Sequence, residues 1–63
     1  MKLTISIPNL PDEVHYLNRS DALNLVAKRF GISRWCGHLM VLNQTGHVIL
    51  PKNTATITLK EEV

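Results

Sequence analysis

The chain has a single cysteine, Cys36, so no internal disulfide can staple it, and stability must come from packing, with a homodimer as an open further source. A lone thiol fits a reducing compartment, which sets the expectation of a cytoplasmic protein. No run approaches the roughly 18 consecutive apolar residues of a membrane span. At the start, Leu3, Ile5 and Ile7 alternate with polar residues where a secretion leader would carry a basic stretch and a long apolar run. The glycines are few and isolated at Gly31, Gly37 and Gly46, so no phosphate-cradling loop exists. Net charge is only +2, too little to imply nucleic acid by itself.

Length is scarce too. A chain of 63 residues buries only roughly 60% of the surface its unfolded form exposes. It holds one core, so residues 1–63 are expected to be a single domain, without room for a deep, enclosed substrate pocket. That weighs against an enzyme.

What is present reads as an ordinary globular domain, with 44% apolar and 19% charged residues. Charge is uneven along it. Arg19, Lys28, Arg29, Arg34 and Lys52 stand in the middle against Asp21, whereas Asp12, Glu13, Glu61 and Glu62 outnumber Lys2 and Lys60 at the ends. A positive centre hints at an anionic partner.

Residues 3–7 alternate apolar and polar, the period of a half-buried strand, and a turn cluster of Pro8, Asn9, Pro11 and Asp12 follows. A short second strand over residues 13–17 puts Val14 and Tyr16 on one face. Leu23, Val26, Ala27 and Phe30 then recur at spacings of three and four, which predicts a helix capped by Ser20, with Asp21 at its positive end and Gly31 as its stop. Residues 39–42 form an unbroken apolar run, residues 43–46 a polar turn and residues 48–50 a second apolar stretch, which predicts a β-hairpin. After a turn at residues 51–53, Ala55, Ile57 and Leu59 alternate with threonines in a final strand. The expected fold is α+β, a single helix packed on a mixed sheet of four to five strands in the order β-β-α-β-β-β, a β-grasp-like layout.

The run Ser20-Asp21-Ala22-Leu23-Asn24-Leu25-Val26-Ala27-Lys28, the apolar residues 39–42, the polar turn and the alternating residues 54–59 together resemble the ubiquitin-like family across most of the chain. The resemblance implies a compact module whose exposed sheet face docks on other proteins. The end Lys60-Glu61-Glu62-Val63 departs from the Gly-Gly tail of conjugating members, so carrier chemistry is not expected.

A rival reading starts at residues 26–33, Val-Ala-Lys-Arg-Phe-Gly-Ile-Ser, which look like the first helix and turn of a helix-turn-helix reader of duplex DNA. Residues 33–40 would then be the recognition helix, with Arg34 and His38 toward bases, Lys52 near phosphate and residues 43–46 as a wing. Gly37 sits where that motif needs a buried aliphatic residue, and Trp35-Cys36-Gly37 forms helix poorly, so this stretch is expected to be extended. A regular helix there would favour DNA.

Cys36, His38, His47 and His15 have side chains suited to zinc. In the expected hairpin, however, His47 lies opposite Asn43 or Gln44, roughly 17 to 20 Å from His38, so no metal site is expected. Cys36 and His38 lack a third, orienting group for nucleophilic catalysis, and Asp12 beside Glu13 is more simply a solvated turn than an acid–base pair. No catalytic residue and no cofactor is expected.

Trp35 beside Arg34 pairs the two residue types most enriched at binding hot spots, though a tryptophan in this place can also close a small core. The candidate partner-binding residues are Lys28, Arg29, Arg34, Trp35, His38 and Lys52. Lys28 and Arg29 also suit the negative end of a helix. Together these features lead to a protein-binding module that modulates or inhibits a larger partner. Its scale matches phage-type inhibitors of host transcription or defence complexes, including anti-CRISPR-like ones, with a duplex-DNA regulator as the alternative.

Overall fold

The computed structural model describes residues 1–50 and 54–61. Its elements run β1 (Lys2–Ser6), β2 (Glu13–Tyr16), α1 (Arg19–Phe30), α2 (Gly37–Thr45), β3 (His47–Ile49) and β4 (Thr56–Lys60). The fold is α+β, but the expectation needs three corrections. Two helices replace the single one, the order is β-β-α-α-β-β rather than β-β-α-β-β-β, and the four-stranded sheet is antiparallel throughout rather than mixed. The strands lie in the order β2-β1-β4-β3, so the first and last parts of the chain pair at the centre.

Alternation in β1 and β4 does what period two requires. Leu3 and Ile5 pair with Leu59 and Ile57 across the two central strands, and all four are buried. Val48 of β3 pairs with Ile57 and extends the same face. Ala22, Leu23 and Val26 of α1, with Leu39 and Leu42 of α2, complete a single core. Both helices therefore cover one face of the sheet, and the opposite face is left open.

The start of α1 is two residues earlier than the sequence suggests. Asn18, not Ser20, is its cap: the Asn18 Oδ1 accepts a hydrogen bond from the Asp21 backbone N–H at 2.8 Å. Ser20 lies inside the first turn. Gly31 ends the helix as expected, in the left-handed region at φ 63°, where its N–H donates to the Ala27 carbonyl.

The expected strand over residues 39–42 and hairpin turn over residues 43–46 are replaced by α2. An unbroken apolar run satisfies either period, and here the three-residue spacing wins: Leu39 and Leu42 are buried while Met40 and Val41 face solvent. Gly46 is the left-handed end of this helix at φ 79°, not the tip of a hairpin. The final hairpin lies one element later, between β3 and β4, where the Leu50 N–H donates to the Ala55 carbonyl at 2.9 Å. The turn expected at residues 51–53 falls outside the described residues.

Candidate functional site

Between the helices, the chain leaves Gly31 and turns at residues 33–36, where the Cys36 N–H donates to the Ser33 carbonyl at 3.1 Å. The Ser33 Oγ accepts from the Trp35 N–H at 3.2 Å. This short turn explains why the helix predicted for residues 33–40 in the DNA reading, and the extended strand predicted instead, are both displaced. Helix begins only at Gly37, with the Met40 N–H donating to the Cys36 carbonyl at 3.2 Å.

The turn lifts Trp35 out of the protein. Its side chain is 82% exposed, so it does not close the core; Phe30, Ile32 and Cys36 pack there instead. Arg34 is held in two ways: its Nε donates to Asn24 Oδ1 at 3.0 Å, and its guanidinium carbon lies 5.6 Å from the indole centroid. That separation is within reach of a cation–π attraction of about 0.5–1 kcal/mol at an exposed site. The pair forms one wall of a groove of about 240 Å³, and Leu39, Met40, Asn43 and Gln44 of α2 form the other. Met40 is 55% exposed.

The far end of this groove is fixed from the other helix. Arg19, at the start of α1, donates to both the carbonyl and the Oδ1 of Asn43, at 3.0 and 3.1 Å. A cation at the C-terminal turn of α2 also complements the helix dipole. The start of α1 is thus tied to the end of α2 by Arg19–Asn43, and the turn between the helices is tied to the middle of α1 by Arg34–Asn24, which fixes both walls of the groove.

The remaining candidates lie elsewhere. Lys28 and Arg29 line a separate, wider hollow of about 480 Å³ between α1 and β2, together with Glu13, His15 and Leu25. There Arg29 pairs with Glu13 at 3.1 Å, both side chains being substantially exposed. The contact is an ion pair by proximity rather than a well-directed hydrogen bond, since the buried Glu13 Oε2 makes none. His38 is half-buried in the first turn of α2, and Lys52 lies outside the described residues. The proposed contact area is therefore divided between two hollows, with Arg34 and Trp35 in one and Lys28 and Arg29 in the other.

Sequence reasoning misses Met40, Asn43 and Gln44, because an apolar run followed by a polar turn predicts a hairpin over residues 39–50. The separation of His38 from His47 along a hairpin goes with that assignment; His38 stands in the first turn of α2 and His47 begins β3, just beyond the other end of the helix. Among the described residues, no group of three or more His, Cys, Asp or Glu side chains could hold a metal ion. Likewise, no helix among them is long and apolar enough to cross a membrane. No protein-family model matches the chain, and no curated protein or solved structure matches it significantly.

Proposed function

We propose that this chain is a protein-binding module that acts on a larger partner by covering part of its surface, with the Trp35 groove as the contact. One observation carries the reading: Trp35 is 82% exposed beside an Arg34 already held in place. Burying a tryptophan removes roughly 150–250 Å² from water, worth about 4–6 kcal/mol at the usual area coefficient before the costs of association. Arginine held by Asn24 and the indole loses less freedom on binding, which favours a partner presenting an apolar anchor flanked by carboxylates. The module makes no covalent change and takes no cofactor. Inhibition by simple occlusion suits a domain of this size.

The chemistry of α2 supports a protein partner over duplex DNA. Its solvent face carries Met40, Val41 and Gln44 and no lysine or arginine, whereas duplex binding draws most of its affinity from cations on phosphates. Arg34, which lines the groove, and Arg19, which reaches its far end, are both engaged with asparagines.

Affinity capture from a cell extract with the wild-type chain and with Trp35→Ala tests this. A protein retained by the wild type should bind at least thirtyfold more weakly to the variant, the loss of about 2 kcal/mol that marks a hot spot. Capture unaffected by the substitution, or recovery of duplex DNA alone, would overturn the proposal.

A further inference from the structure

The face of the sheet turned away from the helices has a composition that neither the core nor the Trp35 groove explains. Residues directly opposite one another share a face, so the register lays three rows across it. Tyr16, Lys2 and Lys60 form the first; Val14, Thr4, Thr58 and His47 the second; Ser6, Thr56 and Ile49 the third. Glu13 pairs with the buried Ile5 and so stands on the other face. No carboxylate interrupts the rows among the described residues; Glu61 follows only after β4.

Two features of this face point to a ligand. Lys2 and Lys60 stand directly opposite each other on the central strands, a like-charge pairing that weakens a sheet, and neither makes an ion pair among the described residues. Beside them the hydroxyls of Thr4, Ser6, Thr56 and Thr58 make no hydrogen bond among the described residues. At the end of the lysine row, Tyr16 is 71% exposed. Repelling cations, unengaged hydroxyls and a free aromatic ring are complementary to phosphate, ribose hydroxyl and base.

We propose that this open sheet face binds single-stranded RNA, with Lys2 and Lys60 on phosphate, Tyr16 stacked on a base and the threonine hydroxyls toward ribose 2′-hydroxyls. Four strands about 4.8 Å apart and three rows about 7 Å apart make a platform of roughly 14 by 14 Å. That is room for the two or three bases a four-stranded sheet stacks. Duplexes are excluded on shape, because their bases are stacked inward and cannot reach Tyr16. The site is separate from the Trp35 groove, and the two proposals stand or fall independently.

Fluorescence anisotropy of a labelled oligouridine of about 10 nucleotides, a length within the range of one small domain, tests it on the full chain. The wild type should bind, and its affinity should fall with salt. Replacing both lysines, Lys2→Thr with Lys60→Thr, should weaken binding at least tenfold and flatten the log–log salt slope by about 1.4, the contribution of two phosphates on a single strand. Tyr16→Ala should cost roughly fivefold or more, and Trp35→Ala should change nothing. The lysine variant should melt no lower than the wild type, because a repulsion is removed and threonine favours strands. No binding by the wild type, an unchanged salt slope in the lysine variant, or equal affinity for the matching deoxyoligonucleotide would overturn the assignment.

Discussion

Gly46 is the joint on which the position of α2 depends, and replacing it with alanine should be far more costly than the same change at Gly31. Both glycines end helices in the left-handed region, at φ 79° and 63°, where a side chain costs about 1–2 kcal/mol. At Gly31 that is the whole cost, because an added Cβ would meet nothing within 4 Å. At Gly46 the Cβ would lie 2.7 Å from the backbone oxygen of Leu59. That oxygen cannot swing aside, since the Leu59 N–H donates to the Gly46 carbonyl at 2.8 Å and its side chain is buried in the core. Relief needs a shift of β4 against the end of α2, and overpacking of this kind costs about 1–3 kcal/mol more. Gly46→Ala is therefore expected to lose about 2–5 kcal/mol and Gly31→Ala about 1–2. A domain of 63 residues has only about 3–9 kcal/mol in total, so at the middle of both ranges the first variant forfeits roughly half its stability. Urea titration followed by far-ultraviolet circular dichroism reads both, with midpoints shifted and slopes unchanged for a pure stability effect. Equal midpoint shifts in the two variants would refute the close approach of Gly46 to β4.

Two further comparisons test elements that were mis-assigned from sequence. Asn18→Ala should cost about 1 kcal/mol in urea titration, because it removes the side-chain bond to the Asp21 N–H, whereas Ser20→Ala should stay within about 0.5. The reverse order would restore Ser20 as the cap. Leu42→Ala should lose about 2–5 kcal/mol and Val41→Ala no more than about 0.5, since Leu42 is 0% exposed and Val41 44%. In a strand Val41 would share the inner face with Leu39 and Leu42 would turn outward, so a larger loss at Val41 than at Leu42 would favour the hairpin over α2.

The candidate site was legible by residue type and not by place. Arg34 and Trp35 stand out as the residue types enriched at contact surfaces, while the sequence leaves equally open a tryptophan that closes a small core; its 82% exposure decides between the two. What the pair faces could not be read, since Met40, Asn43 and Gln44 share a wall with it only once residues 37–45 are helical. Lys28 and Arg29 lie close to the pair in sequence, yet their side chains turn toward β2 and line a different hollow.

Local pattern alone determined β1, α1 with its stop at Gly31, and the alternation ending in β4, because each has a period that buries one face and wets the other; it also placed β2, although there the apolar Val14 and Tyr16 are the exposed residues and Glu13 and His15 the half-buried ones. It also placed the chain in the α+β class. Tertiary structure decided α2, whose four consecutive apolar residues carry both periods at once; packing against β3, β4 and α1 selects the one that buries Leu39 and Leu42 together. It decided the rows of the open sheet face as well. Lys2 and Lys60 meet because β1 and β4 pair across almost the whole length of the chain, and such pairing follows from filling one common core rather than from any neighbouring residues.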